Sequence, residues 1–346
     1  MRIKDEQFFI TINKFLTIYL PKHRSCSPNT IKAYRETINL FLDFMRTDKQ
    51  IGLTQMSFEY LCYQNICDFL DWLQDTRQCC TNTRNLRLMV IRAFSKYAVF
   101  LDPARIAQLI EIEKVPMKKS VSRIVEFLSE EALKLLLEQP DVSKNNGFRD
   151  RFFMILMYDL GARCQETLNL RIRDIELQSP APFVYITGKG KKPRTVPLMG
   201  KTVEHYVQYL EKFHPAESRQ KDDFLFYTKI KGERTRMSEA NTGAFFKRYG
   251  EDAKKCNRNI DIPNRVHPHQ IRHTRAMHLY RGGMPLVLLS EFLGHSDINT
   301  TQIYAYADSE MKRTALQKVN QTASSPKVVP IWVDDENMIR KLYGLK

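Results

Sequence analysis

Apolar residues recur at helical spacing through the first part of the chain. Phe8, Ile12, Phe15, Leu16 and Tyr19 form one stripe, and Ile31, Tyr34, Ile38, Phe41 and Met45 form a second. Repeats three and four residues apart mark amphipathic helices with one buried face. Ser27 before Pro28 predicts where the second helix opens. A serine side chain caps the free N–H groups of a first turn, and proline suits that turn. A third stripe holds Ile66, Phe69, Leu70 and Leu73. A fourth opens near Thr81-Asn82-Thr83 and carries Leu88, Ile91 and Phe94. Short helices of this kind close into a small bundle.

The pattern breaks after residue 113. Lys114-Val115-Pro116-Met117-Lys118-Lys119-Ser120 is basic, polar and interrupted by proline, which predicts a linker over 114–126. A second domain is expected from Phe127-Leu128-Ser129, with Ser129 capping its first helix. Helices follow through 133–137 and 152–160, and Gly161 ends the latter. Val184-Tyr185-Ile186-Thr187 and Thr195-Val196-Pro197-Leu198 flank a glycine-rich polar turn, which predicts a hairpin. A further short strand is read at 224–227, and helices to about residue 318. A loop at 322–326 precedes a small helix over 334–343, with Met338, Ile339 and Leu342 on one side. The expected fold class is mainly α with a small antiparallel β-sheet. A helical bundle spans 1–113, a mixed α+β domain 127–320 and a tail 321–346.

The length of 346 residues suits two domains that each bury a core. Against 39 acidic residues stand 54 lysines and arginines, a net charge of +15. Such an excess attracts polyanions and makes nucleic acid the first partner to consider. Lys32 and Arg35 flank Tyr34, and Arg84, Arg87 and Arg92 line the fourth helix, all off the apolar stripes. With Thr30, and with Lys191, Lys192 and Arg194 in the hairpin, they are candidates for DNA contact. A solvated polar face is the plainer alternative. No apolar run approaches the ~20 residues that span a membrane. The N-terminus has no apolar signal core, so a cytoplasmic protein without membrane association is expected. The seven cysteines are odd in number and form no paired C-x-x-C sets of the kind that bind zinc.

The densest chemistry is His267-Pro268-His269-Gln270-Ile271-Arg272-His273-Thr274. With Pro268 in a first turn, His269 and Arg272 share one helix face. An arginine fork matches two phosphate oxygens, and a helix N-terminus favours an anion. For the pair alone, a structural contact is the simpler reading. His269 and His273 have zinc-helix spacing, but no glutamate lies between them and no carboxylate cluster is near. Neither a metal nor another cofactor is expected. A helix from Pro285 should end at Gly294, leaving His295 just beyond. The next helix, capped within 297–301, carries Tyr304 and, two residues on, Tyr306; spacing does not choose between them. Arg163 follows the helix-ending Gly161, and Glu166 lies one turn later, placed to hold its guanidinium. Lys189 sits in the hairpin turn.

In chain order, Arg163, Lys189, His269-x-x-Arg272, His295 and Tyr304 form a set that resembles the tyrosine recombinase family, which includes phage integrases and Xer recombinases. The resemblance rests on Gly161-Ala162-Arg163-Cys164-Gln165-Glu166, Thr187-Gly188-Lys189-Gly190, His269-Gln270-Ile271-Arg272-His273-Thr274, and Leu293-Gly294-His295-Ser296 through Tyr304. The step of nine residues from His295 to Tyr304 is also similar. Nearly the whole chain is covered, since the first helices resemble the family's SAM-like core-binding domain. Gln270-Ile271 departs from the usual Lys-Leu or Asp-Leu, and Ala305-Tyr306 stands where Thr-His is common.

The resemblance implies strand cleavage and rejoining without metal or ATP. Arg163 and Arg272 would clamp the phosphate. Tyr304 would attack in line, leaving a 3′-phosphotyrosine and a free 5′-hydroxyl. Lys189 would protonate the departing oxygen. His269 would handle the tyrosine proton or orient the phosphate, His295 would hydrogen-bond it, and Glu166 would support the site. Double-stranded DNA is the implied partner. Four protomers would act in one synaptic complex through a Holliday junction. The two domains would clamp the duplex with the linker along it, and the tail would dock on a neighbouring protomer. No arm-binding module is expected before Phe8. Rival readings are a type IB topoisomerase, a silent DNA-binding regulator and a metal-dependent nuclease. The target site, biological role and accessory proteins are not given by the sequence.

Overall fold

The computed structural model describes residues 3–120, 125–188, 193–295, 297–307, 336–342 and 344. The chain divides into two compact units, Met1–Arg123 and Ile124–Lys346.

The first unit is helical. Helix α1 (Glu6–Lys14) passes into π-helical winding over Phe15–His23, where Pro21 lacks a backbone donor. Then come α2 (Pro28–Thr47), α3 (Tyr63–Asp75), α4 (Thr81–Leu101) and α5 (Ile106–Lys114). Ser27 caps α2: the Thr30 N–H donates to Ser27 Oγ at 3.2 Å. The apolar stripes meet in an aromatic core. Phe8 packs edge-on against Phe58 at 5.1 Å, Phe15 against Phe94 at 5.4 Å, and Phe41 against Phe69 at 5.3 Å. Edge-to-face pairs of this kind add attraction to the area they bury.

Helix α5 was not expected, and the segment after it is not a loose polar connection. Ile112 and Val115 are buried in the bundle core. The arginines of α4 hold the backbone that follows. Arg92 Nη2 donates to the carbonyls of Glu113 (2.8 Å) and Val115 (2.6 Å). Arg84 Nη1 donates to that of Pro116 at 3.1 Å, while Asn85 exchanges two hydrogen bonds with Lys118.

The second unit begins with α6 (Glu130–Glu138), capped by Ser129, and α7 (Asn145–Leu160). Helix α7 is buried over most of its surface, with Phe152, Phe153, Met154, Leu156, Met157 and Leu160 in the core. After α8 (Cys164–Leu168), strands β1 (Ile175–Glu176), β2 (Phe183–Thr187) and β3 (Pro193–Pro197) make an antiparallel sheet in that order. Val184 pairs with Val196, and Thr187 with Pro193. Helix α9 (Gly200–Phe213) precedes a hairpin of β4 (Tyr227–Ile230) and β5 (Glu233–Arg236). The strand read at 224–227 is thus displaced: Phe224 makes only an isolated bridge to Arg171, and β4 starts at Tyr227. Helices α10 (Glu239–Cys256), α11 (Pro268–Arg281), α12 (Leu286–Leu293) and α13 (Asn299–Ala307) follow, then α14 (Glu336–Leu342).

The chain enters this unit bound to α11. The Leu128 N–H donates to Thr274 Oγ1 at 3.0 Å, and the Leu128 carbonyl accepts from His278 Nε2 at 2.9 Å. With that nitrogen protonated, His278 Nδ1 accepts from the Tyr158 hydroxyl at 2.8 Å. Among the described residues, no helix is long and apolar enough to cross a membrane.

Candidate active site

Two helix ends and one helix start converge. Gly161 closes α7 with φ +54°, and a Cβ there would stand 2.7 Å from Phe292 Cε1. Glycine is required by both conformation and space. Its carbonyl, freed by the turn, accepts from Arg272 Nη1 at 2.8 Å. Gly294 closes α12 with φ +65°, and the carbonyl just before it, on Leu293, accepts from Arg272 Nη2 at 2.7 Å. Arg272 is 1% exposed and reads the ends of both helices. Burial, with the charge of Arg163, pulls its guanidinium down to about 10, still cationic near neutral pH.

Arg163 opens α8, and Glu166 sits in the first turn of that helix. The Arg163 backbone N–H donates to Glu166 Oε2 at 2.9 Å, and its Nη1 donates to Oε1 at 2.7 Å. Arg194, on β3, donates from Nη2 to Glu166 Oε2 at 2.8 Å. Arg272 Nη1 stands 3.9 Å from the same oxygen. Burial alone would raise the Glu166 carboxyl, but the hydrogen bonds and charge of Arg194 and Arg163 outweigh it and hold the group below its ordinary value. Three guanidiniums around one carboxylate leave two positive charges in surplus, a place made for an anion. Arg163 is the open side of the cluster, with a third of its side chain (33%) exposed.

Tyr304 is 1% exposed and packs with Ala276, Met277, Leu289 and Leu293. Its hydroxyl lies 2.9 Å from His273 Nδ1. Burial pushes the phenol up to about 12, against the pull of Arg272 and Arg163. Tyr306, the competitor left open by spacing, is 75% exposed. The His273 ring meets that of His269 edge-on, with centroids 4.4 Å apart. Burial, then His269 and Arg272, drives His273 down to about 3; burial and Arg272 also lower His269. His295 follows Gly294 and places Nδ1 2.8 Å from Thr301 Oγ1 on α13. Burial and Arg272 bring it down to about 4, so it too is neutral near physiological pH.

Arg163, Glu166 and Arg272 are therefore together in one cluster. Tyr304, His269 and His295 surround it through α11 and α13. Lys189, Lys191 and Lys192 lie outside the described residues. Lys32 and Arg35 are exposed on α2, with Thr30 and Tyr34 half-buried. The expectation of DNA contact is corrected for Arg84, which is 4% exposed with its guanidinium turned to the Pro116 carbonyl and Asn85. Arg87 is half-buried, and its Nη1 donates to the Ala33 carbonyl and Thr37 Oγ1 at 3.0 and 2.7 Å. Arg194 belongs to the ion cluster and not to an exposed turn. One site residue was missed, His273, and Arg194 was expected in another role. His273 was visible as the residue one turn after His269 on the same face, but the pair was weighed only as a metal site.

Residues 114–311 match the phage integrase family, and residues 12–100 match the phage integrase N-terminal SAM-like domain. The chain is 30% identical to the tyrosine recombinase XerD of Staphylococcus epidermidis over 295 residues, 85% of this chain and 93% of that one. Its fold is similar to the XerH site-specific recombinase bound to a palindromic difH substrate, with a TM-score of 0.65 at 21% identity over 92% and 90% of the two chains. It is similar also to the Tn1549 transposon integrase in complex with transposon right end DNA, with a TM-score of 0.66 at 15% identity over 89% and 99%.

Proposed function

This chain belongs to the phage integrase family, and from that premise we propose that it is a tyrosine site-specific recombinase that cuts and rejoins duplex DNA through Tyr304. The observation that carries the assignment is the cationic cluster of Arg163, Arg194 and Arg272 on Glu166, with Tyr304 held beside it by the same helix that bears Arg272. A scissile phosphate entering at Arg163 meets the surplus charge. The guanidiniums offset the negative charge that rearranges as phosphorus becomes five-coordinate. Tyr304 Oη then forms the new bond to phosphorus and the bond to the 5′-oxygen breaks. The phosphodiester energy is kept in the 3′-phosphotyrosine, so rejoining needs no ATP.

Lys189, carried on the β2–β3 connection, is assigned the proton for the departing 5′-oxygen. His295 donates to the phosphate from the ring nitrogen not facing Thr301. His269 orients the phosphate beside Arg272. Glu166 acts through the arginines it holds. Recombination between two duplexes requires four protomers in one complex. The tail helix α14 would bridge neighbours there, and Lys32 and Arg35 on α2 would contact the DNA backbone.

Covalent trapping tests the assignment. A labelled, nicked duplex, selected from a library for adduct formation by the unaltered protein, is incubated without divalent metal and run on denaturing gels. The adduct is expected from the unaltered protein and from Tyr306→Phe, and to be absent from Tyr304→Phe at equal DNA binding. An adduct that survives Tyr304→Phe overturns the assignment.

A further inference from the structure

The phenol proton of Tyr304 must leave as the new bond to phosphorus forms, and among the described residues His273 is the base that meets it. The Tyr304 hydroxyl meets His273 Nδ1 at 2.9 Å, with the rings inclined at 62°. We propose that His273 is a further catalytic residue, the general base that takes the Tyr304 proton during cleavage and returns it during rejoining. This rests on Tyr304 being the nucleophile.

The proton balance closes around one turnover. In cleavage, the phosphorus–Tyr304 bond forms, the phosphorus–5′-oxygen bond breaks, Nδ1 gains the phenol proton and the 5′-oxygen gains one from the general acid. In rejoining, the 5′-hydroxyl attacks, the tyrosyl oxygen leaves, and imidazolium His273 gives the proton back. With its own proton on Nε2, neutral His273 presents the Nδ1 lone pair to the phenol. The groups that face it are His267, His269 and Arg272 on its own helix, Tyr304 on α13, and His295 beyond α12. None is anionic while the phenol keeps its proton, so the ring rests neutral and ready to accept. The Arg272 guanidinium then discourages imidazolium from lingering, which favours return of the proton. His269 packs its ring edge-on against that of His273 at 4.4 Å, and the ring nitrogen at the Tyr304 hydroxyl is that of His273.

His273→Asn separates holding from proton transfer. The asparagine amide oxygen can accept the phenol hydrogen bond but cannot take the proton. At pH 7 the variant, bound to the selected duplex as tightly as the unaltered protein, should form adduct ~10²–10⁴-fold more slowly, the usual contribution of a general base. Rejoining should slow by the same factor, leaving the ratio of cleaved to intact strand unchanged. Its rate should climb about tenfold per pH unit from pH 6 to 9, because cleavage then needs phenolate, while the unaltered protein stays nearly flat. Difluorotyrosine at position 304, a more acidic phenol, should rescue His273→Asn and barely change the unaltered protein. A slower variant with a flat pH profile and no rescue would mean a structural role and overturn the proposal, as would adduct formation at the unaltered rate. Should His273→Asn not fold, the fluorotyrosine series in otherwise unaltered protein decides. A rate rising in proportion to phenol acidity would exclude a base. An adduct persisting in Tyr304→Phe instead removes the nucleophile assignment, a separate failure.

Discussion

The first unit closes around rings: Phe8, Phe15, Phe41, Phe58, Phe69 and Phe94 are all buried among aliphatic neighbours. The second unit buries rings as well, Phe152, Phe153, Phe226 and Phe246 among them. Yet it also takes Arg272, Glu166, Thr301 and Tyr304 to nearly complete burial. An apolar core gains from every area removed from water and tolerates local rearrangement. A buried ion cluster gains little in net stability and depends on every partner being in place. Equal burial therefore means different things in the two units. In the first it reports folding energy, and in the second it reports chemistry held ready at an energetic cost.

Three substitutions test that contrast. Phe94→Ala removes a ring that touches Phe8, Phe15 and Phe58. It should cost about 3–5 kcal/mol of the first unit's stability. Calorimetry should show that unit melting earlier while the adduct rate per DNA-bound protein is unchanged; a lost adduct rate would break the contrast. Arg272→Lys keeps the charge but not the fork that reaches both Gly161 and Leu293. Adduct formation should fall by ~10²–10³, about 2.7–4 kcal/mol of barrier, the scale of one lost transition-state donor. An Arg272→Lys protein that cleaves normally would make the cluster merely structural. Ser27→Ala removes the cap of α2 and should cost about 1 kcal/mol of stability by denaturant unfolding, with no effect on cleavage.

What the sequence makes legible is local. Ser27 and Pro28 open a helix, Ser129 opens another, and Gly161 and Gly294 close two more, each by a rule that needs only neighbouring residues. The motif order in turn brings Arg163, Glu166 and Arg272 into one cluster. What stays hidden is set by partners far along the chain. Arg84 looks like a surface cation until Pro116 stands in front of it. Arg194 looks like part of a basic turn until β3 registers against β2 beside α8. Helix α5 is only nine residues long, with Ile106, Leu109 and Ile110 too short a stripe to stand out from the bundle before it, and β5 is polar along its whole length. His273, the missed site residue, has a clear local signal, but its meaning depends on where α13 brings Tyr304.

Leu128 has a mechanical consequence. Both its backbone polar groups are tied to α11, the helix that carries His269, Arg272 and His273. Tension drawn through the chain at this point is borne first by Thr274 and His278, and His278 passes it on to Tyr158 of α7. Helix α11 is thus the point from which the second unit hangs, and a pull strong enough to slide it by a fraction of a turn would be registered at once by the ends of α7 and α12 that Arg272 grips.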